Sequence, residues 1–396
     1  MTTLDILSPF PPFPPHAGGT AHIFHATRQL SRYFDLSLFT LADNPAAVRW
    51  GPMGDWCREV AAFQGSVSSR IFLSRRRFLL DPPAVHHDYS PTLVKFLQQR
   101  WRVSPPDIVQ LEFTTMAQYA PLARECGARV VCTAHNVAFF AQMRRARQER
   151  DLRLRARRWL GALSLWQYEL RALRQCDLVV SLGEADTRAL RRWLPATPVI
   201  TLSSAVDLDV WQPCFDPQRE DTVLFVGNYA HPPNVEGAFW LAHEVWPLVR
   251  RARPGARLVL AGRAPTAALQ ACAASDILVP GAVTELQPLY ASASLVAAPI
   301  FWGSGVRIKL LEALACGLPV VTTALAAEGL GLREGESALF AETPAAFAAA
   351  IIRLLDDGTL RARLGAAGRA VVERDYNWAQ VGRRLAGVYS GLFARA

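Results

Sequence analysis

The chain alternates short, continuous apolar runs with segments of helical periodicity, and this alternation constrains the fold more than any other feature of the sequence. The runs are rich in β-branched residues and bounded by turn residues, which predicts strands. Strands that are apolar on both faces and separated by helices form parallel sheets covered on both sides. In the first half the predicted strands are Leu4–Ser8, Leu36–Leu41, Ile108–Phe113, Arg129–His135, Leu178–Leu182 and Val199–Leu202. In the second half they are Val223–Gly227, Leu258–Gly262, Ile277–Pro280, Leu295–Pro299, Pro319–Thr322 and Ala338–Phe340.

The two sets of predicted strands indicate two doubly wound α/β domains rather than one barrel. A chain of 396 residues that is 51% apolar has enough material to bury two such cores. Proline and aspartate residues interrupt the periodicity between residues 203 and 217, so the domain boundary is placed there. We predict an N-terminal domain over residues 1–205, a C-terminal domain over 206–376, and a final helix over 377–396 that crosses back to the N-terminal domain.

The net charge of +9 comes mainly from one segment. Between Arg144 and Arg158, eight arginines stand against only Glu149 and Asp151, which gives +6. Basic charge in one segment without a platform of aromatic side chains does not favour nucleic acid binding. The segment continues into a predicted helix whose apolar face holds Leu152, Ala156, Trp159, Leu160, Leu163 and Trp166. That face either packs on the core or docks on anionic lipid or a lipid-diphosphate acceptor.

The sequence contains neither an apolar run of the ~18 residues that a membrane helix needs nor a basic and apolar leader at its start. Its seven cysteines are scattered, without the paired spacing of a zinc site. We therefore expect a cytoplasmic protein with reduced thiols, peripheral at the inner face of the membrane if the arginine segment binds lipid. Asp207-Leu208-Asp209 has the DxD spacing of some metal sites, but it is interpreted as the end of the interdomain loop, and no metal site is predicted.

The segment from Pro299 to Thr323 carries the clearest chemical signal. A strand is followed by Gly303-Ser304-Gly305 and then by helical spacing from Val306 to Ala315. Glycines that open a helix let a phosphate approach its first N–H groups, where the helix dipole favours negative charge. Arg307 and Lys309 add positive charge beside this turn, so the segment predicts a diphosphate site.

Lys309 is unusual because the chain contains only one other lysine, Lys95. A lysine that survives where arginine is the rule indicates a need for a compact ammonium group. Glu312 follows ~10 Å beyond Gly305 along the same helix, and its side chain leans back toward the turn. A carboxylate there can accept hydrogen bonds from the hydroxyl groups of a ribose attached to the diphosphate.

These residues resemble the donor site of family-4 glycosyltransferases of the GT-B fold. The run Glu312–Gly317, EALACG, matches the second half of the family's two-glutamate motif, whereas the first glutamate falls at Ser304. The pattern GSGxRxKxxE resembles an exopolysaccharide-associated branch, which is also similar at Gly227-Asn228-Tyr229 and at Gly281-Ala282-Val283. The resemblance implies two Rossmann-like domains that face a cleft, with the donor in the C-terminal domain and the acceptor in the N-terminal domain.

The resemblance also implies a retaining, metal-independent transferase (EC 2.4) that acts in polysaccharide or glycoconjugate synthesis, with a saccharide, lipid-linked or other acceptor. A nucleotide-diphosphate sugar serves as co-substrate and no other cofactor is implied. Catalytic roles fall to His135, Arg307 and Lys309. Donor contacts fall to Gly18, Gly19, Gly227, Asn228, Ala282, Val283, Gly303, Ser304, Gly305, Val306 and Glu312. Acceptor-binding or orienting roles fall to His16, Glu112 and Asn136.

The departure from the family motif at Ser304 leaves one alternative open. The chain could be a catalytically degenerate member that binds nucleotide-sugars without transferring the sugar. The loop at residues 203–205 supports the same alternative, because Ser203-Ser204-Ala205-Val206-Asp207 stands where the family has the sequence PNGVD.

Overall fold

The computed structural model describes residues 1–15, 18–65, 82–149, 151–202, 205–213, 221–283, 285–302 and 308–393. It divides into two compact units. The N-terminal unit comprises Met1–Ser204 together with Trp378–Ala396, and the C-terminal unit comprises Ala205–Asn377. The predicted site residues that lie outside the described residues are His16, Gly303, Ser304, Gly305, Val306 and Arg307.

The N-terminal unit is built on a parallel sheet with the strand order β3-β2-β1-β4-β5-β6-β7. Its strands are β1 (Thr3–Ser8), β2 (Asp35–Ala42), β3 (Glu59–Gln64), β4 (Ile108–Glu112), β5 (Arg129–Ala134), β6 (Leu178–Ser181) and β7 (Val199–Thr201). Its longer helices before the C-terminal unit are α1 (Gly18–Leu30), α2 (Pro91–Val103), α3 (Ala138–Gln148), α4 (Leu152–Leu173) and α5 (Glu184–Trp193). Short helical segments cover Pro45–Ala47, Met53–Trp56, Pro83–His87, Thr114–Tyr119 and Ala120–Glu125.

The C-terminal unit repeats the same plan with the order β10-β9-β8-β11-β12-β13. Its strands are β8 (Thr222–Val226), β9 (Arg257–Ala261), β10 (Ile277–Gly281), β11 (Leu295–Ala298), β12 (Val320–Thr322) and β13 (Leu339–Phe340). Its longer helices are α6 (Pro232–Trp240), α7 (Ile308–Ala315), α8 (Pro344–Asp356) and α9 (Gly358–Asp375). Shorter helical segments cover Leu241–Val245, Trp246–Ala252, Ala267–Gln270 and Gln287–Ser292.

Several helices begin where a short polar side chain caps the first turn. Ser90 accepts a hydrogen bond from the N–H of Leu93 at the start of α2, and Asp151 accepts one from Leu154 at the start of α4. Asp357 ends α8 and caps α9 by accepting from Leu360 at 2.8 Å. Such caps satisfy backbone donors that the helix itself leaves without partners.

The twelve strands predicted from the apolar runs all form, and no end differs by more than one residue. The prediction missed β3, which pairs with β2 at the edge of the N-terminal sheet. This strand begins with a glutamate, contains two alanines and is only half-buried. It therefore lacks the continuous β-branched run that marks a central parallel strand.

The final helix, α10 (Trp378–Ser390), belongs to the N-terminal unit. It packs closely on α1, where a Cβ atom added at Gly382 would lie 2.5 Å from the Cβ of Gln29. Leu385, Ala386 and Tyr389 of α10 join the buried core on this side of the sheet. None of the described helices combines the length and the apolar composition needed to cross a membrane.

The close approach of α10 to α1 predicts opposite effects for two glycines of the same helix. Gly382→Ala should lower the free energy of unfolding by about 1–3 kcal/mol, because the added methyl overpacks a filled contact. Gly387→Ala meets nothing within 4 Å and should raise it by up to about 1 kcal/mol, because alanine favours the helix. Urea unfolding monitored by circular dichroism measures both, and stabilisation of similar size by Gly382→Ala would contradict this packing.

Candidate functional site

Each unit places its candidate residues where the strand order of its sheet reverses. In the N-terminal unit the reversal lies between β1 and β4, and in the C-terminal unit between β8 and β11. Loops leave such neighbouring strands in opposite directions, so a crevice opens at the carboxyl edge of the sheet. Ligands of doubly wound proteins bind there, and both candidate sites are therefore described from this edge.

In the N-terminal unit, His135 follows β5 directly and forms a hydrogen bond with Glu112 at the end of β4. The distance between His135 Nε2 and Glu112 Oε2 is 2.6 Å, and both side chains are buried. Because β4 and β5 are paired in register, with Glu112 opposite Thr133, the two side chains emerge at the same edge. The structure thus brings together two predicted residues, and it gives Glu112 contact with His135 rather than a surface position.

The hydrogen bonding continues beneath this pair. Gln110, two residues before Glu112 on β4, donates from Nε2 to Glu112 Oε1. The Tyr389 hydroxyl of α10 donates to Gln110 Oε1 at 2.8 Å. All of these side chains are buried, so the chain of hydrogen bonds runs from α10 to His135 without an exposed group. Sequence analysis did not identify Gln110 or Tyr389.

Phe113 covers the ring of His135. The two rings stack with centroids 3.9 Å apart and an angle of 7°. Phe113 has φ of 69°, a backbone conformation that non-glycine residues rarely adopt and that is often found at functional sites. A Cβ atom at Gly19 would lie 2.9 Å from the Phe113 ring, so glycine lets the start of α1 approach this ring. Gly18 and Gly19, predicted donor residues, therefore form the first turn of a helix that closes on Phe113.

His22 of α1 lies on the other side of His135. The ring centroids are 4.8 Å apart in an edge-on arrangement, and Trp378 of α10 contacts His22 at 5.2 Å. Burial, together with His135 and His25, lowers the pKa of His22 well below its ordinary value. His22 is therefore neutral at neutral pH. Asn136, by contrast, is exposed beside these buried groups and can meet a ligand from solvent.

His22, Glu112 and His135 also offer nitrogen and oxygen atoms that lie within 4.8 Å of one another, a grouping that could hold a metal ion. In this arrangement Glu112 and His135 satisfy each other directly at 2.6 Å. A metal ion between them would have to replace that hydrogen bond. Function without a metal therefore remains the prediction for this cluster.

Glu169 of α4 ties together the two loops that carry the N-terminal site. Its carboxylate accepts hydrogen bonds from Thr114 Oγ1 at 2.7 Å and from the N–H groups of Ala138 and Phe139 at the start of α3. Thr114 follows Phe113, and Ala138 begins the helix after His135 and Asn136. Burial raises the pKa of Glu169 to about 7. No sequence signal points to this residue, because it lies far along the chain within a helix.

In the C-terminal unit the side chain of Lys309 reaches the loop that follows β8. Lys309 Nζ donates to Asn234 Oδ1 at 2.5 Å, and Asn234 Nδ2 donates to the carbonyl of Asn228 at 2.8 Å. The ammonium also lies 4.4 Å from the ring centroid of Phe225. The segment from Gly227 to Asn234 contains neither arginine nor lysine, and α7 therefore supplies a positive charge to it.

Glu312 lies one turn beyond Lys309 on α7 and is partly exposed. Tyr290 donates to its Oε2 at 3.1 Å, and burial raises the pKa of the carboxyl to about 7. Ala282 and Val283 follow β10, the edge strand, which is separated from β8 by β9. The structure thus joins Lys309, Asn234 and Asn228 in one hydrogen-bonded group and places Glu312 next to it on α7.

The arginine-rich segment has an exposed apolar surface. On the first three turns of α4, Leu152 is 75% exposed and Leu160 is 69% exposed, and Leu154, Trp159 and Leu163 are exposed as well. The expectation that this face packs on the core is wrong for these turns and holds only from Ala162 onward, where Tyr168 and Leu173 are buried. Arg153, Arg155 and Arg157 are exposed on the same turns. We refer to this surface, residues 152–163, as the α4 surface.

Both halves of the chain match glycosyltransferase family models. Residues 17–210 match "Glycosyltransferase Family 4", and residues 220–357 match "Glycosyl transferases group 1". Together these two glycosyltransferase models match most of the chain, and its two doubly wound units form the GT-B fold. The first match begins at the loop before α1, and the second extends from the start of β8 to the end of α8, so the two matches include both candidate sites.

Curated relatives match part of the chain, and solved structures share its fold. Phosphatidyl-myo-inositol mannosyltransferase of Mycobacterium leprae is 33% identical over 198 residues, which is 48% of this chain and 50% of that protein. The chain spans about half the length of the curated relatives it matches. Sucrose-phosphate synthase of Thermosynechococcus elongatus has a TM-score of 0.75 at 18% identity, over 100% of both chains. HepE of Anabaena, in complex with UDP and glucose, has a TM-score of 0.70 at 14% identity, over 98% of this chain and 100% of that chain.

The raised pKa of Glu169 predicts a pH-dependent contribution to stability. In the unfolded chain this carboxyl loses its proton near its ordinary pKa of 4.5, whereas the folded protein keeps it up to about pH 7. The protonated Glu169 therefore contributes fully to the free energy of unfolding below pH 4.5. This contribution is lost as the pH rises through about 7, a change of the order of 3 kcal/mol. Glu169→Gln cannot titrate, so its stability relative to the wild type should improve by that amount between pH 4.5 and 8. Urea midpoints across this range measure the difference, and a difference independent of pH would mean that Glu169 is ionised throughout.

Proposed function

We propose that the chain transfers a sugar from a nucleotide-diphosphate sugar to an acceptor, with retention of the anomeric configuration and without a bound metal, in polysaccharide or glycoconjugate synthesis. The observation that carries the proposal is the ammonium of Lys309, held by Asn234 at the point where the C-terminal sheet reverses its strand order. A fixed positive charge there suits the diphosphate of a nucleotide-sugar. The match to the family-4 model and the UDP complex of the similar HepE structure support the same class of donor.

The reaction breaks the bond between the anomeric carbon and a diphosphate oxygen and forms a bond from that carbon to an acceptor oxygen. Negative charge therefore grows on the departing diphosphate. A preorganised cation that meets this charge stabilises the transition state more than the bound donor. In the proposal Lys309 has this role, with Arg307 and the glycine turn before α7 as predicted partners.

Glu312 suits the ribose of the donor. Its carboxylate lies one turn from Lys309 and is held by Tyr290, so one edge is oriented while the group stays partly exposed. Once it is ionised, above about pH 7, the carboxylate accepts hydrogen bonds from two neighbouring hydroxyl groups, and each bond to a charged group contributes about 1.5–3 kcal/mol. In the N-terminal unit, His135 and exposed Asn136 are proposed to contact the transferred sugar or the acceptor.

We further propose that the α4 surface docks on anionic lipid and that the acceptor is lipid-linked. Exposed leucines and a tryptophan beside exposed arginines form the combination that binds the interface of a charged membrane. Each arginine near such a surface contributes about 1 kcal/mol. The name of the similar mycobacterial protein, a phosphatidyl-myo-inositol mannosyltransferase, is in keeping with an acceptor of this class.

The geometry of Lys309 predicts that a charge-conserving substitution impairs transfer. Lys309→Arg should lower kcat about tenfold or more, because the longer, planar guanidinium cannot keep the 2.5 Å contact with Asn234 and the contact with Phe225. Release of nucleoside diphosphate from UDP-glucose and GDP-mannose, in the presence of EDTA, measures the rate. Lys95→Arg, at an exposed position of α2, is the matched control and should keep wild-type turnover.

Equal turnover of the two lysine variants would remove Lys309 from the mechanism. Nucleotide binding by the wild type without release from any donor would instead support the degenerate alternative. Loss of all release on addition of EDTA would contradict metal independence.

The α4 surface predicts salt-sensitive binding to anionic vesicles. Replacing Arg153, Arg155 and Arg157 by glutamate should weaken co-sedimentation with phosphatidylglycerol vesicles at least tenfold, because each reversal turns attraction into repulsion. Reversal of Arg251, Arg363 and Arg384, exposed elsewhere, changes the net charge equally and should leave binding nearly unchanged. Failure of the wild type to bind at low salt would overturn the membrane proposal, and concentration-dependent dimerisation lost on Leu160→Ser would assign the surface to a second copy.

A further inference from the structure

We propose that the C-terminal helix α10 positions His135 for the reaction, through the hydrogen-bonded series Tyr389, Gln110 and Glu112. The inference rests on the proposed role of His135 in sugar transfer. Tyr389 and Gln110 are positioning residues, since they act on His135 through Glu112. The helix that ends the described chain would then control a rate although its tyrosine contacts neither sugar nor nucleotide.

The first step is the orientation of the Gln110 amide. An amide side chain has one accepting and one donating end. The carboxylate of Glu112 only accepts, so the Nε2 end of Gln110 faces it, as observed. The Oε1 end then points toward α10, where the Tyr389 hydroxyl donates to it at 2.8 Å and holds the amide in this orientation.

The second step is the orientation of the imidazole. A carboxylate accepts hydrogen bonds but does not donate, so His135 must donate from Nε2 to Glu112. This contact selects the tautomer with its hydrogen on Nε2 and fixes the plane of the ring. Phe113 stacked on the ring and His22 at its edge leave it little freedom to turn. The Tyr389 hydroxyl thereby completes a series in which every bond up to His135 has a defined donor and acceptor.

A second contact of α10 reaches the same histidine through α1. Trp378, at the start of the helix, stacks on His25 at 5.5 Å and contacts His22 at 5.2 Å. His22 contacts His135 in turn. The two ends of α10, eleven residues apart in the sequence, therefore reach the histidine through β4 and through α1. Docking of α10 therefore fixes both groups that contact His135, Glu112 through Gln110 and His22 through Trp378.

The test compares two buried tyrosines of the same unit. Tyr389→Phe removes only the hydroxyl that orients Gln110. Tyr119→Phe is the matched control, because the Tyr119 hydroxyl is equally buried and bonds to Ser90 and Asp88, away from His135. We expect Tyr389→Phe to lower kcat for diphosphate release from UDP-glucose or GDP-mannose about tenfold with KM within about twofold. Tyr119→Phe should keep both constants while losing a similar amount of thermal stability.

The split between kcat and KM distinguishes positioning from a general loss of stability, because a loss of stability alone would affect the two phenylalanine variants alike.

Failure of the inference and failure of the proposed function give different results. Absence of diphosphate release by the wild type would count against the proposed function. The inference could then still be tested by a direct measurement on His135. Imidazole nitrogen chemical shifts, assigned to His135 by their loss in His135→Gln, report its tautomer and should change in Tyr389→Phe but not in Tyr119→Phe. Unchanged His135 shifts, or equal kcat in the two phenylalanine variants, would overturn the inference.

Discussion

A carboxylate without exposed surface needs hydrogen-bond donors from the protein itself, and Glu112 imposes this need on the N-terminal unit. His135 and Gln110 supply the donors from β5 and β4. Gln110 can serve only if its oxygen finds a partner elsewhere, which Tyr389 provides. The orientation of the histidine, the amide at position 110 and the docking of α10 are therefore parts of one requirement.

The two units use the same sheet topology for different electrostatic tasks. In the N-terminal unit, polar groups are buried and satisfied by one another, which gives a rigid arrangement with fixed hydrogen positions. In the C-terminal unit, Lys309 and Glu312 are only partly buried, and they hydrogen bond to Asn234 and Tyr290 respectively. Groups of this kind can exchange part of their hydration for a ligand at moderate cost. The first arrangement suits positioning and the second suits binding a charged co-substrate.

The fold could be predicted from the sequence because parallel strands buried on both faces leave long apolar runs. The residues at strand ends, Glu112 and His135, could be predicted for the same reason, since the carboxyl edge of such a sheet is where ligands bind. Gln110, Tyr389 and Glu169 could not, because their partners lie far away in the sequence and their neighbours show only ordinary strand or helix patterns. The periodicity of α4 shows that the helix has one apolar face, but it does not show whether that face packs on the core or is exposed. The role of the α4 surface could therefore not be predicted.

The C-terminal unit is inserted into the N-terminal unit, and its two ends lie together. The chain leaves at Ala205 and returns at Trp378, and a β-bridge joins Val206 to Asn377 at the base of the insertion. During synthesis, α10 therefore emerges only after the whole inserted unit has been made. Until then the core that receives Leu385 and Tyr389 stays open, and Gln110 has no hydroxyl to orient it. The N-terminal unit, first to be translated, is the last to be completed, and a chain released early would carry an intact sheet with an unsatisfied polar core.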